Sequence, residues 1–290
     1  MLNLDILEKI KKLSIRSLFS DDVLMERLVL KGGNCIDLAY KLSTRSSLDL
    51  DFSMETDFTQ EEIDTFTDRI EFQFNNYFPQ ENLRTFDIKF SSRPMKPDKY
   101  NDWGGYRVTF KVIPVEKYQE LQENKDKCRK QSLTLGKNDS KEFSIDISKF
   151  EYCQGKQSFD LDGVNIYIYS PLMTVFEKLR AICQKMKEYD LNSARKDQAR
   201  SRDFYDIFIV NEELAQINFK DSQNRELLKE IFQIKKVPLH LLEIIKDKRE
   251  VHRLDFESVK ATITHTAESF DFYFDYVLEK VDELERFWNV

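Results

Sequence analysis

Leu28-Val29-Leu30-Lys31-Gly32-Gly33-Asn34-Cys35-Ile36-Asp37-Leu38-Ala39-Tyr40, then Arg45-Ser46-Ser47-Leu48-Asp49-Leu50-Asp51-Phe52, is the stretch whose reading decides the fold. Leu28 to Leu30 predicts a brief strand entering a Gly-Gly turn. Asn34 is suited to cap an apolar helix running to about Tyr40. Leu48 to Phe52 alternates apolar residues with Asp, the pattern of a strand with one polar face. The turn offers backbone N–H groups to phosphate oxygens. Asp49 and Asp51, two apart on a strand, project from one face and offer the hard oxygens that Mg²⁺ prefers beside a phosphate. Asp-x-Asp alone reads as a solvated strand face. Preceded by Gly32-Gly33 it reads as a site for a nucleoside triphosphate and a divalent metal. The chain has seven glycines in 290 residues, and Gly32-Gly33 and Gly104-Gly105 use four of them.

Working outward, residues 5–18 have Ile6, Leu7, Ile10, Leu13 and Leu18 near helical spacing, and a second helix starts at Ser20-Asp21-Asp22. Residues 59–77 open with Thr59 and Glu62, a capping box. Strand patterns follow at 84–90, 106–113, 142–147 and 164–169, with a helix over 116–130. Ser170-Pro171 caps a helix whose stripe is Leu172, Val175, Phe176, Leu179, Ile182, Cys183 and Met186. Helical patterns continue over 201–215, 223–233, 239–248, 254–262 and 268–288, the last ending its stripe at Trp288. These patterns predict an α+β fold, a mixed sheet with helices over 1–169, followed by a helical domain over 170–290.

Further residues carry chemistry. Asp146, in Phe143-Ser144-Ile145-Asp146-Ile147-Ser148, is either a third acid beside the first two or an edge-strand aspartate. As a third acid it would complete metal binding or act as a general base. Lys178 borders a buried stripe. It either reaches into a cleft toward phosphate or snorkels to solvent. In Arg202-Asp203-Phe204-Tyr205-Asp206-Ile207, Asp206 sits in an apolar run and needs a partner. The structural alternative is an Arg–Asp pair bracing the helix; the functional one is an aspartate that orients Lys178 or a substrate hydroxyl. Trp103-Gly104-Gly105-Tyr106 is a stacking surface or a strand-start turn.

At 41% hydrophobic, 33% charged and 13% aromatic, the chain reads as a soluble globular protein. It shows neither a membrane-length apolar stretch nor a signal peptide. Four scattered cysteines fit a reducing cytoplasm and disfavour zinc and disulfides. Three histidines, His240, His252 and His265, lie far from the Gly-Gly and Asp-x-Asp elements in sequence. A net charge of −7 argues against broad nucleic-acid binding but allows local basic runs at 125–130 and 195–202. The bland reading of the first run is a solvated face.

Leu30-Lys31-Gly32-Gly33, Arg45 to Phe52, Ile145-Asp146-Ile147, Glu177-Lys178-Leu179-Arg180-Ala181 and Arg202-Asp203-Phe204-Tyr205-Asp206 together, in this order, resemble the AbiEii/AbiGii-type nucleotidyltransferases. These are toxins of bacterial toxin–antitoxin and phage-defence loci. The resemblance implies a nucleotidyltransferase-fold N-terminal domain and a helical domain contributing to the active-site cleft. It implies transfer of a nucleoside monophosphate from a triphosphate to an acceptor such as a tRNA 3′ end, with a cognate antitoxin as partner. Carried over, Asp49 and Asp51 bind Mg²⁺, with Asp146 as third ligand. Lys31, Gly32, Gly33, Asn34, Ser47, Lys178 and Arg202 bind the nucleotide, and Asp203 or Asp206 supports catalysis. Asn34 stands where the family usually has Ser or Thr. The rival reading is a nucleotide- or RNA-binding regulatory module without turnover.

Overall fold

The computed structural model describes residues 4–41, 49–94, 104–134, 140–191, 196–263 and 266–284. Ser47, Trp103, Arg195, His265 and Trp288 lie outside the described residues. The chain forms two compact units. The first comprises Met1–Asn34, Ser47–Cys153 and Gln157–Ile168; the second comprises Cys35–Ser46, Gln154–Lys156 and Tyr169–Val290.

In the first unit α1 (Leu4–Phe19) buries Leu7, Ile10, Leu13 and Leu18. Asp21 caps α2 (Asp22–Arg27) by accepting from Leu24 N at 3.1 Å. The chain then enters β1 (Val29–Lys31), the single helical turn α3 (Gly32–Asn34) and, further on, β2 (Leu50–Ser53). α4 (Gln60–Tyr77) opens with the Thr59–Glu62 capping box. β3 (Leu83–Arg93) and β4 (Gly105–Pro114) form a long hairpin. The helix expected over 116–130 is instead α5 (Val115–Leu121) and α6 (Lys125–Gln131). The break falls at Asn124, whose side chain takes the Lys127 N–H at 3.0 Å and restarts the helix.

β5 (Phe143–Ser148), β6 (Gln157–Leu161) and β7 (Val164–Ile168) complete a seven-stranded sheet of order β3-β4-β5-β2-β1-β7-β6. β2–β5 and β1–β7 are parallel and the other pairs antiparallel. β6 escapes the sequence reading because it is an edge strand with little buried surface, so its apolar alternation is weak. Leu30, Phe52, Ile147 and Tyr106 lie in register across four strands and form the apolar face. The second glycine pair has a steric reason. A Cβ on Gly105 would fall 1.9 Å from the Ile147 carbonyl oxygen.

The second unit is helical. Its earliest stretch holds a π-helical turn at Cys35–Ala39. The Tyr40 hydroxyl donates to the Tyr169 carbonyl at 2.8 Å. Ser170 caps α7 (Pro171–Gln184), with Pro171 in the first turn. α8 (Ser201–Val210), α9 (Asn224–Gln233), α10 (Leu241–Ile244), α11 (Arg249–Arg253), α12 (Phe256–Lys260) and α13 (Phe270–Leu284) follow. α11 carries no apolar stripe, which is why its sequence gives no helix signal. Phe204 of α8 stacks on Phe274 of α13 with ring centroids 5.1 Å apart and meets Phe270 edge-on at 5.6 Å. Among the described residues no helix is long and apolar enough to cross a membrane.

Candidate active site

The opposite face of the sheet bears charge. Register sets Lys31 beside Asp51, Asp51 beside Asp146 and Asp146 beside Arg107, so one row across β1, β2, β5 and β4 reads plus, minus, minus, plus. Two like charges on adjacent strands repel, and the flanking cations offset this. Lys31 is buried and its Nζ lies 3.6 Å from the buried Glu151 carboxylate. Arg107 forks Asp146, Nε to Oδ1 and Nη2 to Oδ2, both at 2.7 Å. That fork holds the guanidinium above its ordinary range against partial burial, and the charges of Asp146, Asp49 and Asp51 add to it. All three carboxylates thus act on one cation.

Gly32 ends β1 with φ of +71°, a conformation that L side chains rarely adopt. A Cβ there would sit 3.1 Å from Asp51 Oδ2, so the missing side chain makes room for the carboxylate. Gly33 is buried behind it. Asn34 does not cap a helix as expected. It lies inside the turn, fully buried, and its Nδ2 donates to the Asp49 carbonyl, which fixes the entry to β2. Its Oδ1 is buried without a partner. Asp49 sits in a bend just before β2, exposed, and accepts from Ser144 Oγ at 2.7 Å.

The donors at this face are carboxylate oxygens, and Gly32 keeps the space beside Asp51 open. That chemistry fits a hard divalent cation. The expected three-acid ligand set is not assembled, however. Among the described residues no three His, Cys, Asp or Glu side chains are disposed to hold a metal ion. Asp146 lies beside Asp51 in register, and in this arrangement Arg107 takes both its oxygens.

The other expected residues lie in the second unit. Lys178, on α7, does not snorkel to solvent. It is 4% exposed, and its Nζ is 3.2 Å from Asp203 Oδ1 and 2.6 Å from Asp206 Oδ2. Asp203 and Asp206 are one turn apart on α8 and both buried. Both therefore meet Lys178. The arginine that pairs with Asp203 is Arg200, through Nε, whereas Arg202 is exposed. Burial pushes the Asp203 carboxyl up, but Arg200 and Lys178 outweigh it and hold it below its ordinary value. The Arg200 backbone N–H donates to His252 Nδ1 at 3.1 Å, and burial lowers His252 to about 4, so the ring is neutral at physiological pH. Two cations and two carboxylates make the cluster electroneutral, which is what lets it be buried.

Sequence reading missed Arg107, Arg200, His252 and Glu151. Arg107 had a signal, since alternation over 106–113 sets it on the polar face. Arg200 had one as well, three residues before Asp203 on the face that Asp203 shares with Asp206.

A mixed sheet carrying paired aspartates beside a Gly-Gly turn, joined to a helical unit, defines a nucleotidyltransferase. JHP933 from Helicobacter pylori has the same fold, with a TM-score of 0.52 at 15% identity over 99% of this chain and 95% of that one. MenT4, a nucleotidyltransferase toxin from Mycobacterium tuberculosis H37Rv, is similar with a TM-score of 0.47 at 13% identity over 97% and 83%. No curated protein sequence matches. Residues 15–276 match the family model of the nucleotidyl transferase AbiEii toxin of type IV toxin–antitoxin systems, and the chain belongs to that family.

Proposed function

We propose that this nucleotidyltransferase is Mg²⁺-dependent and moves a nucleoside monophosphate from a triphosphate onto an RNA acceptor, such as a tRNA 3′ end. It acts as the cytoplasmic toxin of a two-protein toxin–antitoxin or phage-defence system. The observation that carries this reading is Asp51 seated over Gly32 and flanked by Asp49 and Asp146. Asp49 and Asp51 would hold Mg²⁺, which supplies charge neutralisation to the triphosphate when bound. Gly32 and Gly33 leave the backbone accessible to phosphate oxygens. Asn34 anchors Asp49 through its carbonyl, and Ser144 orients the Asp49 carboxylate. Asp146 holds Arg107 at the edge of the acidic row, where the guanidinium is placed to meet phosphate charge. The acceptor oxygen bonds the α-phosphorus, the α–β anhydride bond breaks and pyrophosphate leaves, while the hydroxyl proton passes to water.

The test uses purified protein, Mg²⁺, each α-labelled triphosphate in turn and total cellular RNA, with Asp51→Ala as control. Label on a discrete RNA band, lost in the control, is the expected result. Labelled protein, or triphosphate bound with no pyrophosphate released even with RNA present, would overturn the RNA-transfer reading.

A further inference from the structure

Strand β3, at the outer edge of the sheet, borders a cavity of about 370 Å³ that nucleotide transfer as described above leaves unused. Arg84, Thr85, Asp87, Lys89, Tyr118 and Lys125 line it. The β3–β4 register shifts between Phe86 and Lys89, and Asp87 within that bulge has φ of +51°. Such bulges re-aim side chains and recur beside binding sites. Arg129 of α6 forks the Asp87 carboxylate at 2.6 and 3.1 Å and also meets Asp126 at 3.0 Å, so one negative charge is left among the three.

What remains is cationic. Arg84 lies over the Tyr118 ring, 5.5 Å from its centroid, and its Nε is buried with no hydrogen-bond partner. An unpaired guanidinium N–H calls for an acceptor. Among the described residues Arg84, Lys89 and Lys125 form no ion pair, and Glu71 is the lining carboxylate left to offset them. The cavity therefore has one positive charge in excess. A guanidinium fixed on an aromatic ring is preorganised for a phosphate oxygen. The cations continue along α6 as exposed Lys127 and Lys130, which line a second cavity of about 400 Å³ with Lys117, itself paired to Glu120 at 2.8 Å. In a chain of net charge −7, unpaired cations in such a run suit a chain of phosphates rather than a single one.

We propose that this edge of the sheet is an exosite for the phosphate backbone of the acceptor RNA, with Arg84 gripping one phosphodiester and Lys89 and Lys125 its neighbours. This rests on the RNA-acceptor reading above. The probes are fluorescently labelled bulk tRNA and a free nucleoside triphosphate, titrated against wild type, Arg84→Ala/Lys125→Ala and Asp51→Ala over a range of salt. The first double variant should bind tRNA about 10- to 100-fold more weakly, with a salt slope reduced by about one per cation removed. Triphosphate affinity should be unchanged, and Asp51→Ala should still bind tRNA. Lys125→Glu/Lys127→Glu, which alters exposed side chains alone, repeats the test should Arg84→Ala fail to fold. Unchanged tRNA affinity and slope in both double variants would overturn the exosite, and so would loss of triphosphate binding with tRNA binding intact. If wild type labels RNA while the variants keep its KM for RNA, the exosite fails and the transferase reading stands. If wild type neither binds nor labels RNA, both fail.

Discussion

Replacing Lys178 by methionine keeps the length and apolar stem of the side chain and removes its charge. The loss follows from the geometry. The Lys178 ammonium makes two charge-assisted hydrogen bonds, at 2.6 Å to Asp206 and 3.2 Å to Asp203, with all three residues at most 4% exposed. Removing one partner of such a buried group costs about 3–5 kcal/mol, because the carboxylates left behind are uncompensated. Asp203 sets the pH dependence. Its folded pKa lies below the ordinary 3.8, so its stabilising contribution is present above that value and is lost as pH falls through the folded pKa. Without Lys178 that lowering shrinks. The gap between wild type and Lys178→Met should therefore be full at about pH 7 and narrow below about pH 4 as the carboxylates protonate. Urea unfolding at several pH values measures it. Lys178→Met/Asp206→Asn should recover part of the loss, since the stranded charge goes too. A gap under about 1 kcal/mol at neutral pH, or one that does not change with acid, would refute the reasoning and return Lys178 to a role as a lightly held phosphate contact.

Gly32→Ala should cost about 1–2 kcal/mol from the left-handed backbone. It should lower transfer by about 10- to 100-fold, because Asp51 must move; thermal unfolding and label incorporation read the two effects separately. Asp51→Asn should leave the unfolding midpoint nearly unchanged and reduce transfer by about 10²-fold or more at any Mg²⁺ concentration tested. Arg107→Gln should release Asp146 and tighten Mn²⁺ binding by about tenfold in the absence of triphosphate, measured by electron paramagnetic resonance; unchanged binding would show that the guanidinium does not compete for the acids. His252, held neutral at about 4 against an ordinary 6.5, gives stability that is complete above the unfolded value and is lost as pH falls from there through the folded one, up to about 3 kcal/mol. His252→Gln should flatten the stability profile across that window.

Local signals carried far into the fold. Thr59 with Glu62 and Ser170 with Pro171 each announced a helix start that the backbone adopts, because a cap needs only residues within one turn. Asp146 beside Asp51 is different. Alternation set each on a polar strand face, but their adjacency depends on β2 pairing in parallel with a strand far downstream, and no local pattern encodes that register. Arg107 shows the same limit, as its meaning arises only when β4 pairs β5 with Arg107 directly opposite Asp146. On α8 the spacing from Arg202 to Asp206 drew attention to that pair, while the partners Arg200 and Lys178 emerge only from the fold. Lys178 could not be resolved from sequence because a lysine at the border of a stripe turns inward only if something anionic waits there.

The hydroxyl of Tyr40 reaches the carbonyl of Tyr169, so a stretch from early in the chain is built into a unit formed mostly by Tyr169–Val290. During synthesis that stretch leaves the ribosome well before its helical partners exist. At about 5–20 residues per second the wait lasts several seconds or more. The second unit cannot close until translation has passed α13, and no single cut yields two self-sufficient fragments.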